Sequence, residues 1–60
     1  MILLVNTLTL RIADASNINV APPPPGYAVY THGEDATTYA WPGGSPGTAK
    51  RLTNGTIVAA

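Results

Sequence analysis

Between Leu4 and Ala13 apolar and polar positions alternate. Leu4, Leu8, Leu10 and Ile12 fall on one parity, against Val5, Thr7, Thr9, Arg11 and Ala13 on the other. A period of two predicts a β-strand with one buried face. The threonines on the opposite parity, and the lack of Glu paired with Lys at helical spacing, argue against helix. Asp14-Ala15-Ser16-Asn17 then predicts a turn, and Ile18-Asn19-Val20 a short returning strand. Residues 1–20 therefore read as an N-terminal β arm. Four consecutive prolines follow, Pro22 to Pro25. Each fixes φ near −65°, so the run predicts an extended polyproline II rod of about 12 Å, at about 3.1 Å per residue. Residues 21–26 are a proline-rich linker on this reading, a stiff link between strand-forming segments rather than a recognition peptide.

Beyond the linker, residues 27–60 read as a small β-hairpin module. Tyr27-Ala28-Val29-Tyr30-Thr31-His32 is aromatic and β-branched, which favours a strand. Gly33-Glu34-Asp35 predicts a polar turn, and Thr37-Thr38-Tyr39-Ala40-Trp41 a second strand pairing back on the first, ring against ring. Pro42-Gly43-Gly44-Ser45-Pro46-Gly47 breaks any strand and predicts an exposed loop. The sharpest signal comes last. Asn54-Gly55 supplies positive φ at both centres of a type I′ turn, and it is flanked by Lys50-Arg51-Leu52-Thr53 and Thr56-Ile57-Val58-Ala59. The expected fold class is all-β: small antiparallel hairpins with a polyproline linker, completed by inter-subunit packing.

Size is the reason for that last clause. A chain of 60 residues buries only about 60% of the surface its unfolded form exposes, while ordering costs about 1.5 kcal/mol per residue. Small scaffolds compensate with disulfides, metals or association. There is no Cys, and His32 is the sole nitrogen ligand, so association remains. Three basic and three acidic residues give a net charge of zero. Arg11, Lys50 and Arg51 are too few to form a nucleic-acid footprint. The longest apolar run, Met1 to Val5, is far below the roughly 20 residues of a spanning helix, and it lacks the basic lead of an export signal. Neither nucleic acid nor membrane is expected as a partner.

Candidate chemistry is sparse. His32, Glu34 and Asp35 lie close in sequence but fall short of a metal-ligand set and suit a solvated turn. Ser16 and Ser45 have no second His to serve as base. The glycine-rich stretch 43–47 has no Lys to cradle phosphate, and Asn54-Gly55-Thr56, formally a glycosylation acceptor, is already required by the turn. No catalytic residue, metal ligand or cofactor is expected, and the chain reads as a non-enzyme. The candidate interface residues are Leu4, Leu8, Leu10 and Ile12 of the arm, whose strand lacks an evident partner, and the rings Tyr27, Tyr30, Tyr39 and Trp41. An alternative puts the Tyr and Trp rings in solvent, stacking on sugars as a carbohydrate-binding or host-adhesion module.

Pro24-Pro25-Gly26-Tyr27, Tyr30, the turn at Gly33, Tyr39 and the segment from Lys50 to Gly55-Thr56 resemble a short module of tail-fibre and other virion proteins of tailed bacteriophages. In that family a "PPxGY" strand, a turn, a second aromatic strand and a final "GT" segment follow a proline-rich entry. The resemblance spans residues 21–60, and the stretch Ala40 to Ala49 is longer than the family's usual connection. It implies a β module that assembles with copies of itself and with other virion proteins. The corresponding function is a structural virion component, either a capsid decoration protein or a tail-fibre segment, located in the virion after assembly in the host cytoplasm. A host-surface glycan is the further partner implied by the adhesive alternative.

Overall fold

The computed structural model describes residues 1–19, 21–43 and 50–59. These hold five strands and no helix: β1 (Ile2–Asn6), β2 (Ile12–Ser16), β3 (Tyr27–Thr31), β4 (Lys50–Thr53) and β5 (Thr56–Ala59). The all-β expectation holds. β1 lies at the centre of a three-stranded antiparallel sheet ordered β2-β1-β3, and β4 and β5 form a separate antiparallel pair.

β1 has apolar side chains on both parities, and the structure buries the odd one. Leu3 is 0% exposed and Val5 1%, whereas Ile2 and Leu4 are half-buried on the opposite face. The core is Met1, Leu3 and Val5 from this end of the chain with Leu52 and Ile57 from the β4–β5 hairpin. Ile12, Ala15, Ala36, Tyr39 and Trp41 pack around it.

The stripe expected on Leu4, Leu8, Leu10 and Ile12 therefore does not form, because the chain reverses earlier than the expected turn at Asp14–Asn17. Asn6 turns it. Its side-chain Oδ1 accepts hydrogen bonds from the backbone N–H groups of Leu8 (2.9 Å) and Thr9 (3.0 Å), an Asx-type closure. Its backbone carbonyl accepts from Leu10 N–H at 2.8 Å, and its own N–H donates to Arg11 O at 2.9 Å. Leu8 and Leu10 thus belong to a loop, at 92% and 41% exposure. Leu10 takes a left-handed φ of 63°, a conformation that costs a non-glycine residue about 1–2 kcal/mol.

β2 regains its parity through a bulge. Leu3 pairs with Ala15 and Val5 with Ile12, leaving one extra residue on β2. Residues directly opposite in an antiparallel pair share a face. The bulge therefore brings both Ala15 and Ile12 onto the core side, though they lie three positions apart. The returning strand expected at Ile18–Val20 is replaced by β2 itself. Ser16 Oγ accepts from Ile18 N–H at 2.9 Å, Ile18 is exposed, and Val20 lies outside the described residues.

β3 occupies the expected segment but has a different partner. It pairs with β1, in register Leu3 with Tyr30 and Val5 with Ala28, and the ladder extends to Met1, whose carbonyl accepts from His32 N–H at 2.9 Å. The Met1 amino group donates to the carbonyls of His32 (2.6 Å) and Glu34. The strand expected over Thr37–Trp41 does not form. Asp35 O accepts from Thr38 N–H (3.2 Å) and Tyr39 N–H (2.9 Å), and its carboxylate accepts from Thr37 N–H (2.8 Å). These bonds curl the backbone and satisfy it locally, so no ladder is needed. The proline run connects β2 to β3 within one sheet. It ends in a reverse turn in which Tyr27 N–H donates to Pro24 O at 3.2 Å and Gly26 sits at φ 84°, as the third position of a type II turn requires.

The β4–β5 hairpin matches its expectation residue for residue. Thr53 pairs with Thr56 across Asn54 (φ 51°) and Gly55 (φ 77°). Leu52 N–H donates to Leu10 O at 2.9 Å, and an isolated bridge joins Arg11 to Arg51. The loop after β1 thereby ties the hairpin to the three-stranded sheet. Of the expected loop 42–47, positions 44–47 lie outside the described residues.

Candidate functional site

Two features of the surface have the makings of a site. The first is the outer face of the three-stranded sheet. Because Leu3 and Val5 point to the core, the opposite parity carries Ile2 and Leu4 on β1, and the register places Leu4 beside Val29 and Asn6 beside Tyr27 on β3. Ile2, Leu4, Val29 and Tyr27 are each only half-buried. Asp14 and Ser16 of β2 and Thr31 of β3 stand on the same face, opposite Leu4 and Ile2, and the hairpin packs against the other side of the sheet. β3 is also an edge strand, paired among the described residues with β1 alone, and an open edge is a template for further strand pairing.

Six of the eight candidate interface residues divide between this face and the core side. Leu4 and Tyr27 lie on the outer face. Ile12, Tyr39 and Trp41 pack against the core. Tyr30, opposite Leu3, is on the core side of β3 yet 45% exposed at its margin. Leu8 and Leu10 stand apart in the loop beyond β1. The rings do not pair across a hairpin as expected. Tyr39 instead meets Trp41 edge to face at 4.9 Å and His32 at 5.7 Å, an arrangement built by the curl after Asp35.

Sequence reasoning did not single out the second feature, a cavity of about 210 Å³. Its walls are Ile12, Ala13 and Ala15 of β2, Ala36 and Trp41, with Asp14 and Lys50 as its charged members. Lys50 opens β4 on the same parity as Leu52, the core-facing one, and is 2% exposed. Its Nζ is buried and has no hydrogen-bond partner among the described residues. An ammonium taken out of water without a partner costs several kcal/mol. The alternation Lys50, Leu52 against Arg51, Thr53 held the signal, since a strand that buries Leu52 must turn Lys50 the same way.

His32, Glu34 and Asp35 do not converge. His32 faces Tyr39, its Nδ1 buried without a partner. Asp35 organises the curl instead, accepting from Thr37 Oγ1 at 2.6 Å and from Asn17 Nδ2 at 3.2 Å, while Asn17 Oδ1 accepts from Ala36 N–H at 2.9 Å. Those bonds, from the Thr37 hydroxyl first, then the Thr37 backbone and Asn17, lower the Asp35 pKa to about 2. Among the described residues no group of three or more His, Cys, Asp or Glu side chains is placed to hold a metal ion. Among the described residues no helix is long and apolar enough to cross a membrane. No family model, curated protein or solved structure matches the chain.

Proposed function

We propose that this protein is a non-enzymatic structural subunit that works by assembling with copies of itself, and that its setting is the virion of a tailed bacteriophage, as a capsid decoration protein or a tail-fibre segment. The observation that carries the assembly reading is the sheet's second face, where Ile2, Leu4, Tyr27 and Val29 form an apolar patch bordered by Asn6, Asp14, Ser16 and Thr31. The first face is sealed by the hairpin around five buried residues. The second lies beside the open edge of β3. Burying this face between copies adds apolar area to a core too small to leave much net stability at this length. Exposed Leu8, Leu10 and Tyr30 add further apolar surface for contact with other virion proteins. The virion setting rests on the resemblance of residues 21–60 alone.

Cryo-electron imaging of the phage particle that incorporates the chain tests the setting. The reading expects repeated copies in contact through β3 and the outer face, on the capsid or along a tail fibre. Absence of the chain from the purified particle would defeat the virion assignment and leave self-assembly to be judged separately. Titration with host-surface polysaccharide tests the adhesive alternative. A saturable shift in emission from Trp41, the single tryptophan, would favour it.

A further inference from the structure

We propose that two copies of the chain join edge to edge through β3, in one antiparallel register centred on Tyr30, so that their three-stranded sheets become one continuous sheet. The inference rests on the self-assembly reading above and specifies its contact. The direction in which β3 points its backbone groups follows from the bonds at its two ends. His32 N–H donates to Met1 O at 2.9 Å, and Thr7 N–H donates to Gly26 O at 3.0 Å. Antiparallel ladders alternate, so Ala28 and Tyr30 also face β1, while Tyr27, Val29 and Thr31 aim their N–H and C=O groups at the open edge. Tyr27 N–H is already taken by Pro24 O at 3.2 Å. The N–H groups of Val29 and Thr31 find no backbone acceptor among the described residues. Setting Val29 opposite the partner's Thr31, and Thr31 opposite the partner's Val29, satisfies both residues in both copies by reciprocal bonds and leaves the Tyr27 turn intact. A register centred on Val29 instead sets the partner's Thr31 against Tyr27, where Pro24 O stands. Centring on Tyr30 also accounts for that ring, which is 45% exposed. The two Tyr30 rings stand opposite each other across the two-fold axis as a non-hydrogen-bonded pair, the kind whose side chains approach closest. On the outer face Val29 meets the partner's Thr31, so the apolar patches of the two copies run together. β3 lacks the features that blunt an exposed edge: it contains no charge, proline or bulge, whereas β2, at the other side of the sheet, has a bulge and Asp14.

Cysteine pairing tests the register in the full chain, which has no cysteine of its own. At Tyr30 the two Cα atoms lie about 4.5 Å apart, within the span of a disulfide. At Thr31 they lie about 8–9 Å apart, beyond the limit of about 7 Å. With oxidised glutathione as the oxidant, Tyr30→Cys should form a covalent dimer at least tenfold faster than Thr31→Cys at the same concentration. Val29→Pro removes an outward N–H and leaves the bonds to β1 in place. It should raise the concentration for half-association in sedimentation at least tenfold while retaining the β-sheet circular dichroism, and if it does not fold the cysteine comparison decides alone. Equal rates for the two cysteine variants, faster pairing at position 31, or a folded Val29→Pro chain that associates like the parent overturns the register. If the parent chain still associates, self-assembly stands and only its contact is wrong. A parent chain that is monomeric at every concentration overturns both.

Discussion

Leu3→Ala and Leu4→Ala change neighbouring residues of one strand by the same atoms, yet should differ several-fold in cost. Leu3 is completely buried, so truncation loses the transfer free energy of the removed carbons and leaves a cavity, together about 2–5 kcal/mol. Leu4 is half-buried on a face open to solvent. Its truncation leaves no enclosed void and removes about half of the roughly 1.5–3 kcal/mol that full burial of a leucine contributes, or about 1 kcal/mol. The chain as a whole should be stable by only about 3–9 kcal/mol, at about 0.05–0.15 per residue. Leu3→Ala therefore removes a large share of the total, whereas Leu4→Ala leaves most of it. Urea denaturation followed by circular dichroism, at the lowest workable protein concentration, measures both. With an m-value of about 1 kcal/mol/M, the midpoint should fall by about 2 M or more for Leu3→Ala and by about 1 M for Leu4→Ala. Equal losses, or a larger one at Leu4, would mean that β1 buries the other parity and that the placement of the core is wrong.

Further expectations follow from the turns and from one carboxylate. Gly55→Ala forces a side chain onto φ 77° and should cost about 1–2 kcal/mol, a fall in Tm of roughly 4–16 °C; Gly33→Ala, with open space around the added carbon, should be close to neutral in the same melts. Asn6→Ala removes the acceptor for the Leu8 and Thr9 N–H groups and should cost about 1 kcal/mol, read by thermal denaturation. Asp35, held at a pKa of about 2 against its usual 3.8 by Thr37 and Asn17, contributes stability that is complete above pH 4 and is lost as pH falls from there through 2. Asp35→Asn should flatten the stability profile in that window alone, and a carboxyl NMR titration with an ordinary midpoint would contradict the hydrogen bonding described for it.

Local chemistry was the legible part of this sequence. Asn54-Gly55 specifies its hairpin through two positive φ angles, and the β-branched and aromatic run after Gly26 marks β3. Parity in β1 was not legible, because Ile2-Leu3-Leu4-Val5 is apolar on both faces and a one-residue slip exchanges them. The alternation that looked decisive, Leu8 and Leu10 with the threonines between, belongs to a loop set by Asn6. Its Asx closure was the overlooked cue, as was the same chemistry at Asp35, which diverts Thr37–Trp41 from the strand their composition favours. The partner of β3 is a non-local matter. Adjacent strands pair by default, and only the outer edge of β1, freed by the early turn, provides the alternative. Lys50 was legible in principle from its spacing to Leu52, but a lysine beside an arginine reads as solvent-facing until the burial of Leu52 is known.

Self-assembly through the outer face is the central claim, and sedimentation velocity across about 1–200 µM tests it most directly, on the unaltered chain beside Leu4→Asp. The account predicts species heavier than the 6.2 kDa chain that grow with concentration, together with a shift to the monomer once a carboxylate occupies position 4. A folded wild-type chain sedimenting at 6.2 kDa over the whole range, with Leu4→Asp indistinguishable from it, would contradict the claim.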